Sequence, residues 1–245
     1  MPDNINEILL TVTVVLAVAA LAFRILLRVN RVEWLKTAMT WILGYVDVFL
    51  SALIIALVIR TLVVEPFKIP SSSMEDTLLV GDHLFVNRFL YGWRVPGMKS
   101  RPLALRAPRR GDIVVFIPPQ RRDTDFIKRV IGTPGDTLEI RNQKVYVNGT
   151  PLGEPYVVHK DRRVLGSAPP GRDRMGKIVV PPARYFMMGD NRDFSDDSRF
   201  WGYAELPDLK GKAMIIYWSW DSNPEIPIYD LIHKIRWGRM FKVVR

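Results

Sequence analysis

The sequence predicts a mainly β fold, an antiparallel β-sheet domain joined to two N-terminal transmembrane helices. Three observations predict it. Ile8 to Phe23 is an uncharged, mostly apolar run of 16 residues, and Trp41 to Ile59 is a second run interrupted only by Asp47. From Glu65 onward the helical period is lost, and short β-branched runs alternate with Gly, Pro and Asn turn signals. The charge is segregated: residues 1–64 hold five basic and four acidic side chains, a net of +1, so the remainder carries +9 of the total +10.

A helix needs roughly 20 mostly apolar residues to cross a bilayer. The first run meets that length once Ile25-Leu26-Leu27 continue it past Arg24, and the second once Leu62-Val63-Val64 follow Arg60. Spans are therefore expected over about 8–27 and 41–62, with a loop over about 28–40, making 1–64 an anchor. Two buried core helices are the competing reading, since each run holds one internal charge. A cleavable leader is disfavoured, because Asp3 and Glu7 precede the first run and no Lys or Arg does. Arg24, Arg28, Arg31 and Lys36 against Glu33 make the connecting loop cytoplasmic by the positive-inside rule, which puts both termini and the bulk of the chain outside.

The remainder, 65–245, reads as β. Strands are expected at Leu84-Phe85-Val86, Asp112 to Phe116, Asp125 to Ile131, Ile178 to Val180, Tyr185 to Met188 and Ala213 to Trp218. Thr137 to Ile140 and Lys144 to Val147 flank Asn142-Gln143, and Asn148-Gly149 follows, the best hairpin signal in the chain. Loops or insertions are expected near 92–110 and 149–177.

Composition narrows the chemistry. With no cysteine, thiol nucleophiles, disulfides and thiolate metal sites are excluded together, and His83, His159 and His233 are too few for a histidine-rich metal centre. Three segments could carry a reaction. Pro70-Ser71-Ser72-Ser73-Met74 stands just past the second apolar run; alone, a triple serine is as well read as a polar linker or a helix cap. Phe126-Ile127-Lys128-Arg129-Val130-Ile131-Gly132 places a lysine in a strand where alternation groups Lys128 with Phe126 and Val130. It is either an edge lysine that blocks aggregation or a desolvated amine. Lowering a lysine pKa to about 7 costs roughly 4–5 kcal/mol, which makes sense where a neutral base must take a proton from a hydroxyl. Gly189 to Arg199 holds four aspartates, yet its spacing fails the calcium-loop template, so a hydrogen-bonded turn with Asp197 paired to Arg199 fits better.

In this order, behind two apolar runs, these segments resemble the type I signal peptidases of bacteria, membrane-bound Ser/Lys serine proteases. Arg110-Gly111-Asp112-Ile113-Val114-Val115-Phe116 and Pro134-Gly135-Asp136 extend the resemblance, which covers nearly the whole chain. It implies an antiparallel β catalytic domain on the extracytoplasmic side of the plasma membrane. The implied reaction removes signal peptides from secretory preproteins after Ala-x-Ala sites through an acyl-enzyme, with no metal or other cofactor. Ser73 matches the nucleophile and Lys128 the general base. Ser71, with the Ser73 N–H, matches the oxyanion donors. Ser195 matches a serine that orients the lysine, and Asp197 and Arg199 an ion pair bracing that turn. Phe67, Ile69, Met74, Leu78, Phe126 and Ile127 match residues lining two small apolar substrate pockets. Asp76 departs from the pattern: the family usually has proline there, so a less rigid turn is expected after the nucleophile.

Two basic segments remain. Met98 to Arg110 holds Lys99, Arg101, Arg106, Arg109 and Arg110; Leu231 to Arg245 interleaves Lys234, Arg236, Arg239, Lys242 and Arg245 with apolar residues. They are either solvated surface or contacts for anionic phospholipid headgroups. Competing readings are a self-cleaving Ser/Lys repressor, opposed by the two spans, and a membrane-anchored β binding domain. No nucleic-acid partner is expected, since aromatic-basic interleaving is confined to the tail.

Overall fold

The computed structural model describes residues 2–29, 33–93, 101–161, 171–221 and 230–245. Arg31, Lys99 and parts of both expected loops lie outside these residues. The chain divides into two compact units, Met1–Val64 and Glu65–Arg245.

The first unit is a pair of packed helices, α1 (Pro2–Val29) and α2 (Glu33–Val58), the second ending in a π-helical turn over Ile59–Val63. The expected connection over 28–40 is thus too long. Lys36, Ala38 and Met39 are good helix formers, so α2 begins well before the apolar stretch does. Glu7–Arg28 and Lys36–Val58 are long and apolar enough to cross a membrane. Ala20, Met39 and Leu43 are buried, whereas Val18, Trp41, Tyr45 and Phe49 point outward and are largely exposed. The single charges that interrupt the two runs meet each other: Arg24 Nη2 donates to both Asp47 carboxylate oxygens, at 2.5 and 2.7 Å.

The second unit is built on a seven-stranded sheet. Its strands are β1 (Val64–Lys68), β2 (Asp82–Asn87), β3 (Ile113–Phe116), β4 (Phe126–Gly132), β9 (Arg184–Met188), β10 (Ala204–Glu205) and β11 (Leu209–Ser219), in the spatial order β1-β2-β11-β3-β4-β9-β10. A smaller sheet holds β5 (Thr137–Arg141), β6 (Lys144–Val147), β7 (Thr150–Pro151) and β8 (Met175–Val179), in the order β7-β6-β5-β8. The pairings of β2 to β11 are antiparallel.

The hairpin signals form two successive turns. Asn142 and Gln143 both take positive φ between β5 and β6, and Asn148 and Gly149 both do so between β6 and β7, as a two-residue turn matched to strand twist requires. The expected loop over 149–177 therefore includes β7 at its start and the first residues of β8 at its end.

The large sheet is covered on both faces, so its central strands read as continuous apolar runs. Along β3, Ile113 and Val115 join one core cluster with Ile69, Met74, Leu78 and Ile127, while Val114 and Phe116 join another with Val130, Tyr185 and Met187. A third cluster, including Ile131, Leu138, Ile140 and Phe186, lies under the smaller sheet. β4 is central to this arrangement: six of its seven residues are buried, and two of them, Lys128 and Arg129, are cations.

Candidate active site

Ser73 lies in a 3-10 turn, Ser72–Met74, entered through Pro70 and an extended Ser71. Met74 on one side and Ile69 on the other are fully buried, which anchors the turn in the core and leaves Ser73 only 7% exposed. Two backbone carbonyls of the turn are held from across the chain. Asn191 N–H donates to Ser73 O at 3.1 Å, and Asn191 Nδ2 donates to Ser72 O at 3.2 Å. Gly189 makes this approach possible: a Cβ there would stand 2.5 Å from Ser73 O and 2.3 Å from Ser195 Oγ.

Lys128 projects from β4, 4% exposed, and its Nζ lies 2.5 Å from Ser73 Oγ. Register places Lys128 opposite Val114, and the Phe126 ring is 5.3 Å from the amine. Burial disfavours the charged amine and outweighs the attraction of Asp197, Asp196 and Asp190, so its pKa falls to about 8. β4 lies inside the sheet, between β3 and β9, so Lys128 is not an edge lysine.

Asp197 is completely buried. It accepts from Gly189 N–H at 3.0 Å and from Arg199 Nε and Nη2, both at 2.9 Å. Burial alone would raise its pKa, but the Arg199 charge and these hydrogen bonds prevail and hold the carboxyl below the usual range. Arg199 also donates to the carbonyls of Arg172 and Arg192, tying three segments together. Ser195 is buried here, and its hydroxyl lies against the Asp197 carboxylate, helping to hold that carboxyl below its usual range. The bond to the lysine amine expected from the resemblance is not made; Lys128 is held instead by packing and by Ser73.

A cavity of about 390 Å³ opens over Ser73 and Lys128, lined also by Ser71, Phe126, Ile127, Phe194 and Asp196. Of the six expected pocket residues, Phe126 and Ile127 line this cavity. Ile69, Met74 and Leu78 are instead fully buried in the core, and Phe67 packs against them. Their apolar character reflects the anchoring of the nucleophile turn, which sequence pattern does not distinguish from pocket lining.

Several participants escaped sequence reasoning. Arg129, the neighbour of Lys128, forms a buried bidentate pair with Asp190 at 2.8 and 2.6 Å and sits 3.7 Å from the Tyr156 ring. Thr77 Oγ1 donates to the same Asp190 carboxylate at 2.6 Å, linking the lysine strand to the serine turn. Arg192 pairs with Glu154. The one available signal was the cation directly following Lys128 in a strand that is otherwise apolar.

The basic segments are partly consumed by the fold. Arg106 pairs with Asp112, Arg110 with Asp136, Arg236 with Asp221 and Arg239 with Asp82. Beside the last two, Ile232, Trp237 and Phe241 are strongly exposed.

A buried hydroxyl against a buried amine of lowered pKa, at the floor of a cleft, is the arrangement that a serine nucleophile with a lysine base would require. Comparison with known proteins gives the family. A model described as "Signal peptidase, peptidase S26" matches residues 42–218. The chain is similar to the signal peptidase I of Pseudomonas aeruginosa, at 37% identity over 202 residues, 70% of this chain and 71% of that one. It is similar to the signal peptidase I of Rickettsia typhi at 35% identity over 242 residues, 79% of this chain and 90% of that one. A crystal structure of a signal peptidase I from Enterococcus faecalis matches at 32% identity, covering 44% of this chain and 97% of that chain, with a TM-score of 0.36. The chain belongs to the signal peptidase family, peptidase S26: it is a serine endopeptidase that cleaves signal peptides.

Proposed function

We propose that this protein removes signal peptides from preproteins at small-x-small sites such as Ala-x-Ala, with Ser73 as nucleophile and Lys128 as general base. The observation that carries the assignment is the 2.5 Å separation of Lys128 Nζ and Ser73 Oγ within a buried site. Neutral Lys128 accepts the Ser73 proton as the hydroxyl attacks the carbonyl carbon of the last signal-peptide residue. The ammonium then gives that proton to the leaving amine, and the acyl-enzyme ester remains. A water deprotonated by the regenerated amine hydrolyses the ester. The Ser71 hydroxyl and the Ser73 N–H stabilise the oxyanion. Phe126 and Ile127 narrow the cleft, which favours small side chains beside the scissile bond.

The two apolar helices anchor the enzyme in the bacterial plasma membrane, with the β unit on the extracytoplasmic side. Their outward apolar side chains support this, since a soluble core helix would bury them. The C-terminal segment meets the bilayer surface. Ile232, Trp237 and Phe241 enter the interface, and Lys242 lies close enough to anionic headgroups to attract them.

The test is cleavage of a purified preprotein, with the new N-terminus of the product sequenced. Cleavage after a small-x-small site that vanishes in Ser73→Ala and Lys128→Arg is the expected result. Near-normal cleavage by either variant overturns the assignment.

A further inference from the structure

The residue after Glu75 in the nucleophile turn is in an uncommon conformation. Asp76 has φ +75°, in the left-handed region that non-glycine residues rarely enter. Proline, with φ fixed near −65°, cannot adopt it. The turn is therefore built differently from the proline-containing pattern that Asp76 departs from, and something must hold it.

Lys160 is placed to do so. Its Nζ lies 2.9 Å from Glu75 Oε2 and 3.7 Å from Asp76 Oδ1. The segment carrying Lys160 is itself stitched to the turn behind the active site. Val158 N–H donates to Asp190 O at 3.0 Å, and Arg192 N–H donates to Val158 O at 3.1 Å. Between those two residues, Asn191 grips Ser72 O and Ser73 O, and its Nδ2 also reaches Glu75 Oε2 at 3.4 Å. Glu75 is thus shared by Asn191 and Lys160, while Ser73 is two residues away and presses its hydroxyl on Lys128.

We propose that Lys160 is a positioning residue: by bridging the Glu75 and Asp76 carboxylates it holds the left-handed turn that aims Ser73 at Lys128. The inference rests on the signal-peptidase reading given above. The contact is half-exposed, and an ion pair of that kind adds little to global stability. Its effect falls on the alignment of the nucleophile, where a displacement of about 1 Å can cost on the order of 10²-fold in rate.

The test is steady-state preprotein cleavage by the full chain in detergent micelles, with thermal unfolding of each variant alongside. Lys160→Ala is expected to lower kcat about 5- to 10-fold, with KM within about twofold and an unchanged unfolding midpoint. Lys160→Arg should recover most of the loss. Glu75→Lys and Lys160→Glu should each be impaired, and the charge-swapped double variant should recover activity relative to both. At position 76, Asp76→Pro should lose kcat, because the fixed negative φ of proline cannot enter the left-handed turn. If Asp76→Pro does not fold, the Lys160 series decides alone. Wild-type kcat in Lys160→Ala, or failure of both the arginine and the charge-swap rescue, overturns the proposal. Ser73→Ala, run in parallel, separates the two levels. Retained cleavage there defeats the underlying reading, while a dead Ser73→Ala beside a fully active Lys160→Ala defeats this inference alone.

Discussion

The two units treat the same kinds of residue in opposite ways. In the helical unit large apolar side chains face outward, as with Phe49 at 74% exposure, and the charges Arg24 and Asp47 find each other among them. In the β unit the apolar residues are inside and two cations go in with them. Arg129 is neutralised by the bidentate Asp190, whereas among the described residues the Lys128 amine is hydrogen-bonded to a hydroxyl, that of Ser73. A buried arginine keeps its charge and needs a carboxylate, but a lysine under the same burial can give up its proton. One strand thus holds a structural cation and the proposed base side by side. The contrast between Arg129 and Lys128 locates the chemistry more sharply than composition does.

The largest effect that tests this contrast is exchange of the base. Lys128→Arg fixes the charge at the position where neutrality is required, and preprotein cleavage should fall at least about 10³-fold. Retained cleavage in this variant would erase the distinction between the neighbours.

Next in size is removal of the Arg129 partner. Asp190→Ala leaves a buried guanidinium unpaired and frees Thr77, so stability should drop by about 3–5 kcal/mol in denaturant titration of the micelle-bound protein. A loss below about 1 kcal/mol would mean that Arg129 is not a buried structural charge.

The third prediction has the opposite sign. The folded-state pKa of Lys128 is lowered from 10.5 to about 8. Below that pH the folded chain holds a proton that the unfolded chain holds more easily, so the destabilisation is fully present. As pH rises from about 8 to 10.5 it is relieved. Lys128→Met should therefore be more stable than the parent at pH 7, by up to roughly 3 kcal/mol, and should lack the rise in stability across that window. A methionine variant less stable than the parent at pH 7 would show that the amine is not buried at a cost.

The smallest effect concerns the exposed apolar residues of the C-terminal segment. Replacing both Trp237 and Phe241 by Asp should weaken binding to vesicles containing anionic lipid about 10-fold and leave cleavage of a soluble peptide within about twofold. Undiminished vesicle binding would remove the C-terminal segment from the interface.

Much of this architecture is legible in the chain. The Asn142-Gln143 and Asn148-Gly149 turns announce themselves because positive φ is a local demand. Lys128 stands out because a lysine among Phe126, Ile127 and Val130 breaks the pattern of its strand. The interactions that complete the site are not local. Arg129 meets Asp190 across 61 positions, and Lys160 meets Glu75 from another loop. Nothing in the neighbourhood of either partner selects the other. The six apolar pocket candidates show the same limit from another side. Hydrophobicity says that Ile69, Met74 and Leu78 are covered, but only the fold says that the core covers them. The start of α2 at Glu33 was obscured because apolar run length measures what a bilayer needs, whereas helix length follows backbone propensity.

The central claim is that burial lowers the pKa of Lys128, so that near pH 8 a large share of the amine is neutral and able to accept the Ser73 proton. Its most direct test is the ionisation of that amine, followed by NMR of isotope-labelled lysine in the full chain, with Lys128→Met used for assignment. Titration with a midpoint near 8 is the predicted result. A midpoint at the ordinary lysine value, near 10.5, would contradict it.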